Sequence, residues 1–329
     1  MKVAVLGSGA WGTALAQTLV DNHVDTIIWG KDEKEVNDIN LNHRNDKYFD
    51  TDINPELKAT NDLGCVTGAD IILLAIPTIA IEPVLKDALP YIDRKVIIIN
   101  VAKGFHPVTH ERLSVVIKKT MPADKLEAVV SLIGPSHAEE VILRLLTSVN
   151  AVSDNEEAAK KVQKLFSNEC FRVYTNSDVI GAEVGVALKN VMAIACGILT
   201  GIGQGDNARA AVMTRGLKEI TRYGVAQGGK AETYLGLDGV GDLIVTCTSR
   251  HSRNFQAGYA IGKDDSAERF LKENTKTVEG ILVAKIVHDE AQKQGISMPI
   301  TDAVYEVLYE GAKPTELIRK LMNRSLKEE

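Results

Sequence analysis

The chain has 329 residues, 45% of them hydrophobic and 25% charged, a globular composition long enough for two cores rather than one. A net charge of -6 argues against nucleic acid or an anionic membrane surface as the general partner, while leaving room for a small basic pocket. The four cysteines, Cys65, Cys170, Cys196 and Cys247, lie far apart with no C-x-x-C pair, so buried thiols in a reducing cytoplasm are expected rather than disulfides or a metal site.

The first predicted element is a strand over Lys2 to Leu6, followed at once by Gly7, Gly9 and Gly12 in G-x-G-x-x-G and by a helix-forming run from Thr13 to Val20. In that setting the first glycine permits a tight turn, the second lets backbone approach a pyrophosphate, and the third lets the helix pack on the strand. The phosphates of a dinucleotide would then rest on a helix N-terminus, lined by Gly7, Gly9, Ala10, Trp11 and Gly12. Further strands are predicted at Thr26 to Trp29, Asp70 to Ile76, Val96 to Val101, Val129 to Ile133 and Ser148 to Val152. Several are continuous apolar runs, as strands covered on both faces are, so residues 1–179 read as a Rossmann-type, doubly wound α/β dinucleotide-binding domain on a parallel sheet. Beyond Val179 strand patterns nearly vanish, and helices are predicted at Ala182 to Thr200, Asn207 to Gln227, Val278 to Gln294, Pro299 to Tyr309 and Thr315 to Met322. Residues 180–329 are therefore read as an all-helical substrate and catalytic domain. The apolar run Val184 to Ile202 approaches membrane-span length, but Lys189 and Asn190 inside it favour a buried helix of a soluble protein over membrane insertion.

Ligands of such sheets gather at the carboxyl ends of the strands, so residues just after strands carry the most weight. Lys31 closes the second strand, where an acidic group would read the ribose of NAD and a cation would accommodate the 2′-phosphate of NADP; Asp32 follows directly. NADP(H) is favoured and NAD(H) stays possible. Lys103, in NVAKGF, follows another strand with Gly104 beside it. Gly134-Pro135-Ser136 opens a helix, where Ser136 and Glu139 form the S-x-x-E of a capping box; the same helix start could also hold an oxygen-rich ligand. Lys189 sits in a helix that is apolar on nearly every side, and burial disfavours the ammonium form, the adjustment a proton-transferring lysine needs. In GVGDLIVTCTSRHSRN, Asp242 and Thr246 are four apart and share a face if the segment is helical. Ser252, Arg253 and Asn254 then supply a guanidinium fork with hydroxyl and amide donors, a set suited to phosphate but also compatible with a solvated loop.

The motifs GSGAWGTALA, NVAKGF, GPSHAEEV, GVALKNVMAIACGI, GQGDNARAAVMTRGL, GLDGVGDLIVTCTSRHSRN and TVEG, in that order, resemble the bacterial NAD(P)-dependent glycerol-3-phosphate dehydrogenase family along the whole chain. The resemblance implies interconversion of sn-glycerol 3-phosphate and dihydroxyacetone phosphate. It implies that Lys189 accepts the proton when the alcohol is oxidised and that Lys103 lies beside both cofactor and substrate. Gly134, Ser136, Asp242, Thr246, Ser252, Arg253 and Asn254 would line the substrate, while Ala138, Arg253, Val278 and Glu279 would meet the cofactor. A homodimer and a role in supplying phospholipid synthesis are further implications. Two positions depart from the pattern: Ala10 stands where serine is common, and Leu146 where proline is common. A related dehydrogenase of another hydroxy acid or hydroxy phosphate is the nearest rival. A nucleotide sensor without turnover has no need of a lysine inside an apolar helix.

Overall fold

Among the described residues, eight strands form one sheet: β1 (Lys2–Leu6), β2 (Asp25–Trp29), β3 (Lys58–Thr60), β4 (Ile71–Leu74), β5 (Val96–Asn100), β6 (Leu126–Ile133), β7 (Thr147–Val152) and β8 (Phe171–Asn176). A computed structural model, which describes residues 1–326 and 328, arranges them in the order β3-β2-β1-β4-β5-β6-β7-β8. The direction of winding reverses between β1 and β4, which leaves a topological switch point at the carboxyl end of β1. Helices of this half are α1 (Ala10–Asp21), α2 (Glu33–Asn37), α3 (Ile81–Ala88), α4 (Leu113–Thr120), α5 (Ala138–Val141) and α6 (Glu156–Phe166). Because successive strand residues point to opposite faces, Val3, Val5, Ile71, Leu73, Ile97 and Ile99 pack with α1, α5 and α6, while Ala4, Leu6, Ile72, Leu74 and Ile98 pack with α3 and α4. Both faces are thus dry, which is why these strands are apolar without alternation.

Three features depart from the sequence reading. The sheet is not wholly parallel, since β7 runs antiparallel to β6. Only the short α5 lies between them, too little for the crossover a parallel return needs. β3 has three residues and β8 alternates buried Phe171 and Val173 with exposed Arg172 and Tyr174, so neither shows a continuous apolar run.

The chain divides into compact units at residues 1–179 and 180–329. The second contains α7 (Val179–Ile202), α8 (Asp206–Ala226), α9 (Asp242–Thr248), α10 (Arg253–Asp264), α11 (Glu268–Glu273), α12 (Glu279–Gln294), α13 (Pro299–Tyr309) and α14 (Pro314–Met322), with no strand among its described residues. α7 is long and apolar enough to cross a membrane, but 83% of its most apolar stretch is buried inside the protein, as in the core helix of a soluble fold. Its glycines allow unusually close approach to α10: a Cβ at Gly197 or Gly201 would lie 2.2 or 2.3 Å from the carbonyl oxygens of Phe255 and Tyr259. Reciprocally, a Cβ at Gly258 or Gly262 would lie 2.0 or 2.2 Å from those of Ile194 and Ile198.

Candidate active site

In the first unit, the glycine loop leaves β1 with Gly7 at φ +123°, and a Cβ there would lie 2.3 Å from the Ala75 carbonyl oxygen. A Cβ at Gly12 would lie 1.9 Å from the Gly7 carbonyl oxygen, so this glycine lets α1 close on the turn. Gly9, the residue before α1, differs: a Cβ there would meet no atom within 4 Å. The helix start also carries no acidic residue in its first turn and no side-chain cap. An open backbone approach to uncapped N–H groups is what a pyrophosphate requires, so these residues fit a dinucleotide. Ala10 and Trp11 are partly exposed on the same loop, and Lys31 is exposed just past β2.

A buried layer beneath this loop was not legible in the sequence. Asn45, completely buried, donates through Nδ2 to the Ser8 carbonyl at 2.9 Å and to Thr13 Oγ1 at 2.9 Å. Thr13 Oγ1 in turn donates to the same Ser8 carbonyl at 3.1 Å. The Ser8 hydroxyl donates to Glu35. These contacts link residues distant in sequence, and no local motif announces them.

At the carboxyl ends of the neighbouring strands β5 and β6, Lys103 Nζ donates to the Gly134 carbonyl at 2.8 Å, joining the two loops. Gly134 has φ +145°, and a Cβ there would lie 3.0 Å from Val149 Cα. The expected capping box does not form. α5 begins after His137 with no side-chain cap, and Ser136 Oγ donates instead to the Gly134 carbonyl at 3.1 Å. The helix starts one residue too late for Ser136 to reach its N–H groups, so this partly exposed hydroxyl belongs to the Lys103–Gly134 cluster. Ala138 is buried as the first residue of α5.

In the second unit, α7 packs against the glycine-rich turn Leu237–Gly241, where a Cβ at Gly185 would lie 2.5 Å from the Asp238 carbonyl oxygen. That contact brings the start of α9 against the next turn of α7, which carries Lys189. Lys189 Nζ donates to Asp242 Oδ1 and, at 2.8 Å, to Thr246 Oγ1. Thr246 Oγ1 donates back to the Asp242 carbonyl at 2.6 Å, so Asp242 and Thr246 do share a helix face. The Lys189 side chain is 5% exposed and that of Asp242 0%. Behind this layer, a hydrogen bond that the thiol donates to the buried Cys196, together with desolvation, raises the Cys247 thiol well above its usual value, so it is held protonated.

Ser252 caps α10 by accepting from Phe255 N at 3.2 Å, and Arg253, its first residue, is exposed. Asn254 turns inward: its Nδ2 donates to Asn190 Oδ1 at 3.0 Å and its Oδ1 accepts from Gly280 N at 2.9 Å. Asn190 Nδ2 reaches Glu279 Oε2 at 3.4 Å, and Val278 precedes α12. The Asn254 side chain thus ties α7, α10 and the start of α12 together, and the exposed donor of the triplet is Arg253. Asn190, which had no assigned role in the sequence, is the partner that locks this junction.

Residues 2–159 match the family model described as NAD-dependent glycerol-3-phosphate dehydrogenase N-terminus, and residues 178–319 match that of the C-terminus. The chain is 48% identical to a glycerol-3-phosphate dehydrogenase [NAD(P)+] of Streptococcus uberis, covering 100% of this chain and 98% of that protein. It is also 48% identical to the Clostridium perfringens protein of the same name, covering 100% and 99%. Among solved structures, glycerol-3-phosphate dehydrogenase from Coxiella burnetii superposes with a TM-score of 0.90 at 35% identity, covering 98% of this chain and 99% of that one.

Proposed function

This chain belongs to the NAD-dependent glycerol-3-phosphate dehydrogenase family, and from that premise we propose how its residues divide the work. The reaction is the interconversion of sn-glycerol 3-phosphate and dihydroxyacetone phosphate, with NAD(P)(H) as redox partner. When bound, the nicotinamide gives or takes the hydride. Gly7, Gly9, Ala10, Trp11 and Gly12 hold the cofactor phosphates, Lys31 meets its ribose end, and Lys103, Ala138, Arg253, Val278 and Glu279 complete its contacts. NADP(H) is the preferred form, because the side chain directly after β2 is a cation.

Reduction of the ketone builds negative charge on the carbonyl oxygen, and Lys189 supplies a proton there. In oxidation the same amine takes the proton from the substrate hydroxyl. Asp242 and Thr246 fix the position of the amine. Lys103, Gly134 and Ser136 offer the substrate a second set of polar groups, and Ser252, Arg253 and Asn254 belong to the phosphate end. Arg253 is the direct anchor in this reading, with Asn254 setting the helix that carries it. In the cell the enzyme works reductively in the cytoplasm as a homodimer, supplying glycerol 3-phosphate to phospholipid synthesis.

The observation that carries the chemistry is the buried lysine held by Asp242 and Thr246 on a helix whose other polar residues are few, Glu183, Asn190 and Thr200. The test follows NADPH absorbance with dihydroxyacetone phosphate, dihydroxyacetone and pyruvate in parallel, for wild type and Arg253→Lys. Turnover is expected with the phosphorylated ketone, and Arg253→Lys should lower kcat/KM for it far more than for dihydroxyacetone, since an ammonium lacks the planar fork. Equal turnover of pyruvate would reject the substrate, and proportionate losses on both ketones would reject Arg253 as the anchor.

A further inference from the structure

The loop after α2 brings Lys47 to the end of β2, although none of the roles above uses it. Its Nζ lies 2.5 Å from Glu35 Oε1 and 3.3 Å from Asp32 Oδ2. These are two of the three carboxylates that closely follow Lys31 in sequence, the third being Glu33. Asp32 caps α2, accepting from Lys34 N at 3.0 Å. Glu35 is buried and also accepts from the Ser8 hydroxyl and, at 3.2 Å, from the Tyr48 hydroxyl. Ser8 Oγ in turn lies 2.3 Å from where a Cβ of Gly30 would be, so Glu35 is tied into the junction of the glycine loop and β2.

The loop that delivers Lys47 is anchored at two points. The Arg44 guanidinium bonds Asp46 at 2.6 Å, Asp52 at 2.9 Å and Asp50 at 3.1 Å, and Asn45 fastens the same loop beneath Ser8 and Thr13. Lys47 is therefore held in place, with Glu35 drawing its ammonium well above the usual lysine range. Counting Lys31, Asp32, Glu35 and Lys47, the end of β2 carries no net charge. Without Lys47 it would be acidic.

We propose that Lys47 sets cofactor preference by occupying the Asp32 and Glu35 carboxylates, which would otherwise accept ribose hydroxyls and repel a 2′-phosphate. The inference rests on the reading that the cofactor ribose lies at the end of β2. A bare surface ion pair contributes little to stability, so a purely structural role predicts small and cofactor-independent effects.

The experiment measures kcat/KM and KM with NADPH and NADH for wild type, Lys47→Met, Lys47→Gln, Lys47→Arg, Lys47→Met/Glu35→Gln and Lys31→Glu, with a melting temperature for each. Lys47→Met and Lys47→Gln should lower the NADPH-to-NADH ratio of kcat/KM by on the order of tenfold, carried by KM for NADPH. Lys47→Arg should keep the ratio, and removing the Glu35 charge in the Lys47→Met background should restore part of it. Equal losses with both cofactors, or a ratio unchanged in both neutral variants, would overturn the proposal. If the Lys47 variants shift the ratio and Lys31→Glu does not, Lys47 stands and the role given to Lys31 falls.

Discussion

In the proposed mechanism Lys189 carries a double demand, since it would lose and regain a proton while almost fully buried against a carboxylate. Lys189→Ala should lower kcat by roughly 10²–10⁴. It also strands Asp242 as a buried charge without its cation, a change of the kind that costs about 3–5 kcal/mol. Activity and folding are separated by the double variant Lys189→Met/Asp242→Asn, which removes both charges. It should recover most of the melting temperature lost by Lys189→Ala while remaining without turnover; restored turnover would dismiss the lysine as the proton carrier. The sequence disclosed this residue because a cation inside an apolar helix is costly and has few explanations. It also disclosed Asp242 and Thr246 through their four-residue spacing. Ser136 was misread as a cap because S-x-x-E describes a helix start one residue earlier than the one that forms. Asn45, Glu35 and Lys47 were invisible, since their partners come from a loop whose path depends on the tertiary fold.

Individual elements are coupled in the second unit by contacts that reverse ordinary propensity. Alanine normally favours a helix over glycine by up to about 1 kcal/mol. At Gly258 the added methyl would lie 2.0 Å from the Ile194 carbonyl oxygen, on backbone that cannot swing aside. Gly258→Ala should therefore destabilise by about 1–3 kcal/mol and lower kcat as α10 shifts against α7, measurable by denaturant melting and steady-state rates. A second coupling joins α8 to α13. The Glu219 carboxylate, 3% exposed, accepts from Ile300 N at 2.7 Å and from Thr301 N at 3.2 Å, capping α13 from another helix. Burial outweighs these donors and, with nearby Asp302, pushes Glu219 up to about 7 from 4.5. The folded form then holds its proton more tightly than the unfolded chain, so the stabilisation is complete below about 4.5 and is lost as pH rises through about 7. Between pH 5 and 8 the loss is on the order of 2 kcal/mol, and Glu219→Gln should flatten that part of the stability profile. An unchanged pH dependence in the variant would assign the slope to other groups. Among elements, α7 and the strands buried on both faces were legible because burial leaves a long apolar run. β3, β8 and helices α9 to α11 were not: half or more of the residues of β8 and α10 are at least partly exposed, and β3, α9 and α11 are only three to seven residues long.

For the molecule as a whole, the dinucleotide fold was readable from the first twenty residues, where strand, glycines and helix agree, and the helical half from the loss of strand patterns after Val179. Residues 1–176 hold all eight strands, so the sheet is complete before α7 begins. The order of synthesis follows this division. The sheet can close while α7 is still emerging, but α7 lacks its packing partners until α8, α9, α10 and α12 have left the ribosome. During that interval its 24 residues, about 36 Å of helix, match the hydrocarbon thickness of a bilayer. A nascent or truncated chain ending soon after residue 202 would therefore present membrane-insertion machinery with the same apolar length as a genuine span. Prompt docking of α10 onto the glycines of α7 is, in the cell, a matter of correct sorting as well as of stability.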